Sequence, residues 1–193
     1  MNRLLLALLV TLLLGGCDYF IRPQQRVERA EAAIAAGDYP AAVVELKNAL
    51  QKDPQLATAR LLLAEAALWL GNPVGARREL ELIKGPVDAA RQADVRIRID
   101  LALGRHQQVL DALAGAQTPL DPARRALYRG TALQALRRPA EAREQFQAAV
   151  ADDPDLVAAQ IGVIESDAAL GDRQGALDAI AKLTTRYPQS AAA

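Results

Sequence analysis

A short motif returns along this chain every 33 or 34 residues, and that period limits the possible folds more than any other feature. Its clearest copy is Gly37-Asp38-Tyr39-Pro40-Ala41-Ala42, followed in phase by Leu46, Ala49 and Pro54. The next copies are Gly71-Asn72-Pro73 with Ala76 and Leu80, then Gly104-Arg105-His106 with Val109 and Leu113. Two more follow: Arg137-Arg138-Pro139 with Ala142, Phe146, Ala149 and Pro154, and Gly171-Asp172-Arg173 with Ala176, Ile180, Leu183 and Pro188. Each part has a physical reason. A glycine past a helix end adopts the left-handed backbone at little cost. Ala42, Ala76, Ala142 and Ala176 are small enough for a second helix to lie close against the first. The prolines close the second helix, because proline cannot continue its hydrogen-bond ladder. Between the turns, apolar residues recur at helical spacing, as in Leu61, Ala64 and Leu68. One such hairpin cannot bury its apolar face alone, so neighbours must stack. The low aromatic content of 4%, beside 51% hydrophobic residues that are mostly Ala and Leu, suits helices and disfavours a β-sandwich.

This pattern resembles the tetratricopeptide repeat (TPR). The resemblance implies an all-α fold, a right-handed superhelix of helix-turn-helix units, over residues 23–190. Five units are expected, at about 23–56, 57–89, 90–122, 123–156 and 157–190. Several departures stand out. The second unit ends early at Gly85-Pro86, and the fourth has Arg137 in place of the turn glycine. The third has Val109 at the helix crossing, and Arg96 and Asp100 where apolar residues usually pack. Their i, i+4 spacing allows a partly shielded ion pair, and the third hairpin is expected to be the least regular.

The amino-terminal end carries a different signal. Met1 to Arg3 are positively charged, and Leu4 to Leu14 form an apolar run broken only by Thr11. That run is about half of what a membrane-spanning helix needs, so it reads as the core of a signal peptide. It closes on Leu14-Gly15-Gly16-Cys17, and Cys17 is the only cysteine in the chain. This arrangement resembles the lipobox of bacterial lipoproteins. The resemblance implies a signal peptide over 1–16, a lipid on Cys17, and a short linker over 17–22. Several acyl chains give durable anchoring where one would be marginal. Asp18 next to the cysteine resembles the residue that retains enteric lipoproteins at the inner membrane.

The segment from Gly37 through Ala49-Leu50-Gln51-Lys52-Asp53-Pro54, with Ala59-Arg60-Leu61-Leu62-Leu63-Ala64, is more specific than a generic repeat. So are Gln107-Gln108-Val109-Leu110-Asp111-Ala112-Leu113 and Leu127-Tyr128-Arg129-Gly130-Thr131-Ala132-Leu133. These segments are similar to the amino-terminal part of the PEP-CTERM/exosortase-system TPR-repeat lipoproteins. That resemblance implies a role in exopolysaccharide production and protein sorting. An accessory lipoprotein of outer-membrane assembly or secretion is the alternative built from the same parts.

Enzymatic chemistry is not expected. No nucleotide-binding glycine loop and no Gly-x-Ser-x-Gly occurs. One cysteine and one histidine, His106, give neither an intramolecular disulfide nor a Cys/His metal set. Equal numbers of basic and acidic residues, 23 each, leave no net field to draw nucleic acid. No cofactor is expected beyond the covalent lipid.

The expected partner is a protein or peptide held in the concave groove that TPR proteins form from their first helices. The standard inward positions are Val27 and Glu31, Leu61 and Glu65, Asp94 and Arg98, Leu127 and Thr131, and Ile161 and Glu165. That lining is mixed, acidic at both ends, and favours an amphipathic or basic segment. The Lys/Asn pattern with which some eukaryotic TPR proteins clamp a terminal carboxylate is absent from these positions. Trp69 reads as a hairpin-packing residue in preference to an exposed anchor. Leu177, Ile180 and Leu183 lie on a last helix with an uncovered face, which self-association or a partner would cover. The expected location is the bacterial envelope, lipid-anchored and facing the periplasm.

Overall fold

The computed structural model describes residues 21–115 and 117–187. Leu14, Gly15, Gly16, Cys17, Asp18 and Pro188 lie outside the described residues. Every regular element among the described residues is a helix. They belong to two compact units, one ending at Val87 and the other beginning at Asp88.

The first unit holds two hairpins, α1 (Pro23–Ala35) with α2 (Tyr39–Lys52) and α3 (Ala57–Trp69) with α4 (Pro73–Glu81). The second holds three: α5 (Ala89–Ala102) with α6 (His106–Ala112), α7 (Pro122–Ala135) with α8 (Pro139–Asp152), and α9 (Val157–Leu170) with α10 (Arg173–Arg186). Within each unit the first helix of a hairpin touches both its own partner and the first helix of the next hairpin. Within each unit the second helices do not touch one another. The first helices therefore form a continuous layer in each unit.

The turns follow the sequence closely. Gly37, Gly71, Gly104 and Gly171 all have φ between 72° and 78°. Arg137 holds the same backbone at φ 60°, the one non-glycine residue with positive φ among the described residues. A side chain there is strained, because its Cβ crowds the following carbonyl. The residue after each turn caps the second helix where its chemistry allows. Asp38, Asn72 and Asp172 accept from the backbone N–H groups of Ala41, Gly75 and Gly175 at 3.0, 2.9 and 2.9 Å. Arg105 and Arg138 occupy the same place without a side-chain cap. Arg138 instead forms a double contact to Glu141, at 2.7 and 2.5 Å.

The core is made of small residues at the crossings. Ala42, Ala76 and Ala142 are fully buried, and Val109 takes the equivalent place in the third hairpin. In the first unit Val27, Ala30, Ala42, Leu46, Ala49, Ala59 and Leu62 form one cluster. In the second, Phe146 fills the space left by two helix glycines, Gly130 and Gly162. A Cβ at either position would lie 2.7 or 2.6 Å from the Phe146 ring.

The third hairpin is irregular, as its sequence predicts, but the Arg96–Asp100 pair that the spacing allows does not form. Asp100 turns to Arg105 at 3.2 Å, while Arg96 is exposed. Its second helix, α6, has only 7 residues. Gly115 and Pro119 follow it, both poor continuers of a helix. The loop carbonyls that result are met by arginines of α7: Arg125 donates to Gly115 at 3.0 Å and Thr118 at 2.8 Å, and Arg129 donates to Leu113 at 3.3 Å.

Candidate functional site

The first helices of the two units carry all ten residues predicted to line a groove, and their exposure divides them. In the first unit Val27 and Leu61 are buried, Glu65 is half-buried and Glu31 is exposed. Val27 belongs to the hydrophobic core, so it supports the face rather than presenting a contact. In the second unit Asp94 is buried, Arg98 and Leu127 are half-buried, and Thr131, Ile161 and Glu165 are exposed.

Asp94 is the centre of a polar cluster between α5 and α7. One carboxylate oxygen accepts the Tyr128 hydroxyl at 2.5 Å and lies 3.5 Å from Nη1 of Arg124. The other lies 3.5 Å from Nη1 of Arg98, one turn along the same helix. Burial, and then the hydrogen bond to Asp94, push the Tyr128 phenol above its ordinary range, against a smaller opposite pull from Arg98 and Arg124. The phenol is thus held as a neutral donor to a charged acceptor, a strong kind of hydrogen bond. Further along the face, Gln134 donates to Glu165 at 2.6 Å, joining α7 to α9.

The helix-hairpin architecture, its left-handed turns and its small crossing residues agree with two matches to family models described as tetratricopeptide repeat, over residues 33–96 and 127–191. The chain is a tetratricopeptide repeat protein. Solved structures share its fold. A thermophilic TPR protein of Thermus thermophilus has a TM-score of 0.71 at 23% identity, over 86% of this chain and 92% of that one. MamA gives 0.62 at 18% identity, over 85% and 97%. YrrB, described as a TPR protein with an unusual peptide-binding site, gives 0.54 at 16% identity, over 85% and 86%. At these identities the likeness establishes the fold. No curated protein matches the chain.

Two further polar features of this TPR chain escape a residue-by-residue reading. Arg26 pairs with Glu45, and Arg60 with Glu79, each at 2.8 Å across one hairpin. Arg60 also donates to the Pro54 carbonyl at 2.8 Å, and Gln160 meets the Pro154 carbonyl in the same way. The signal is an Arg and a Glu 19 residues apart, present twice in repeat register. The Asp94–Tyr128 bond has a comparable signature, a carboxylate and a hydroxyl 34 residues apart, one repeat period.

Trp69 both packs and faces solvent. Its ring stacks on Tyr39 at 5.4 Å and 13°, yet it stays 55% exposed. Over α9, between α8 and α10, lies a trough of about 900 Å³ lined by two ion-paired arginines, Arg143 and Arg186. Arg143 reaches the buried Asp167 at 2.8 Å and Asp172 at 3.5 Å, and Arg186 meets Asp155 at 2.5 Å. No three His, Cys, Asp or Glu side chains among the described residues are grouped to hold a metal. Among the same residues, no helix is long and apolar enough to cross a membrane.

Proposed function

We propose that the chain is a non-catalytic scaffold for protein partners, held by a lipid on Cys17 at the periplasmic side of the bacterial inner membrane. Its process is exopolysaccharide production or exosortase-linked protein sorting. The observation that carries this reading is the joining of a lone cysteine, in Leu14-Gly15-Gly16-Cys17, to a body of TPR hairpins. Repeats of this kind present a broad layer of first helices, and their nearest-neighbour packing leaves that layer free for recognition. YrrB, whose description names a peptide-binding site, supports a peptide or protein ligand. Asp18 supports the inner membrane. The similarity of the Gly37–Pro54 segment to PEP-CTERM/exosortase-system lipoproteins supports the process. The scaffold works without a cofactor beyond its covalent lipid.

Metabolic labelling with a fatty acid tests the anchor. Wild type is expected to carry the label and Cys17→Ser to lose it; a labelled Cys17→Ser protein would end the assignment. Density-gradient separation of membranes tests the address. Recovery with the outer membrane would replace the inner-membrane reading with an outer-membrane assembly or secretion role.

A further inference from the structure

We infer that the end of the first unit opposite its turns is a membrane-contact surface. There Arg22 and Lys84 meet the phosphates of anionic phospholipid headgroups, and Leu82 enters the interface. This inference rests on the Cys17 anchor proposed above and gives the anchored chain an orientation.

Side-chain contacts tie that end together. Lys52, at the close of α2, donates from Nζ to the Ile21 carbonyl just ahead of α1 at 2.9 Å. Arg60, in the first turn of α3, donates to the Pro54 carbonyl at 2.8 Å and pairs with Glu79, near the close of α4, at 2.8 Å. The starts of α1 and α3 and the closes of α2 and α4 therefore lie together. Cys17 is four residues ahead of Ile21, so at ~3.5 Å per residue its reach from that carbonyl is at most about 14 Å. The 13 residues of α1 span about 20 Å at the helical rise. A lipid on Cys17 therefore enters the bilayer nearer this end than the turns.

The chemistry of this end suits an anionic surface. Arg22 and Lys84 are exposed, and Leu82 beside Lys84 is 39% exposed. The acids at the same end are already engaged. Asp53 accepts the Gln55 N–H at 3.1 Å, Glu79 answers Arg60, and Glu81 lies 3.5 Å from Nε of Arg77, one turn back on α4. Basic side chains gain near an anionic leaflet, and an exposed leucine among them gains at the boundary of headgroups and acyl chains. The larger apolar group of the unit, Trp69, Leu70 and Val74, lies at the turn end, a helix length away along α1. Seating the basic end keeps that group off the bilayer.

The test uses the full-length lipidated chain in phosphatidylcholine vesicles containing phosphatidylglycerol. Cys17 is the only cysteine, and the lipid blocks its thiol, so an introduced cysteine can be labelled alone. A fluorophore on Thr58→Cys in α3 reports the basic end, and one on Ala35→Cys reports the turn end; both positions are exposed. Lipids spin-labelled at the headgroup should quench the first and spare the second. Arg22→Gln with Lys84→Gln, or vesicles of phosphatidylcholine alone, should lift that end from the surface. Each lost charge should shift the balance of seated and lifted chains about fivefold. Equal quenching at both positions, stronger quenching at the turn end, or quenching at Thr58→Cys that neither change reduces would overturn the inference. Co-flotation with the vesicles separates the two failures. A chain that floats without quenching at position 58 keeps its anchor and loses this inference, and one that does not float loses both.

Discussion

Phe146 sets up a test in which one substitution should change sign with its background. Gly162 is in the interior of α9, where replacing glycine by alanine normally stabilises a helix by about 1 kcal/mol. Here the added Cβ would lie 2.6 Å from three atoms of the Phe146 ring. The ring is 2% exposed and already meets Gly130 on its other contact, so it has little room to withdraw. Overpacking of this kind costs about 1–3 kcal/mol. Gly162→Ala should therefore be neutral or destabilising by up to about 2 kcal/mol, the difference of those two effects. Phe146→Leu alone lowers stability by removing buried ring surface, but it opens the space. In that background Gly162→Ala should regain the helical benefit of about 1 kcal/mol. The coupling between the sites is then about 1–3 kcal/mol. Urea unfolding followed by far-UV circular dichroism on the four proteins measures it. An equal gain from Gly162→Ala in both backgrounds would mean that Phe146 does not press on α9.

Three other substitutions probe the turns, a crossing and the buried cluster. Arg137→Gly relieves the left-handed strain at φ 60° and should raise stability by about 1 kcal/mol, read as a higher urea midpoint. Ala42→Leu overpacks the fully buried crossing of α1 and α2 and should cost about 1–3 kcal/mol; an unchanged melting midpoint would remove Ala42 from that crossing. Tyr128 keeps its proton in the folded state to higher pH than in the unfolded chain, whose phenol titrates near about 10. Its contribution is therefore complete below that pH and is lost as pH rises through the folded value. Wild type should lose stability above about pH 10 more steeply than Tyr128→Phe, and parallel profiles would show that the phenol is not shifted.

The hairpins are legible in the sequence because each turn repeats its own chemistry. A glycine supplies the left-handed residue, Asp or Asn caps the next helix, and alanine marks the crossing. Even the exceptions are readable: Arg137 replaces the glycine but keeps its backbone, so the turn is set by the repeat and not by that residue alone. The site is less legible. A repeat template treats each inward position independently, and it assigns Asp94 to the surface of a groove. In the fold Asp94 is buried, because Tyr128 one period later supplies a hydroxyl to it. The sequence spacing of Arg96 and Asp100 permits a pair, but Arg105 reaches Asp100 from the turn. Such choices depend on which side chains converge between helices, and helical periodicity within one segment does not encode them.

The central claim is that the layer of first helices holds a protein partner. A photo-crosslinking residue placed at Thr131, exposed on α7, tests it in the membrane-bound, full-length chain; the same residue at Ala148, exposed on α8, serves as the control. The account predicts a discrete adduct from Thr131 that is absent from Ala148. Equal adducts from both positions, or none from either, would contradict it.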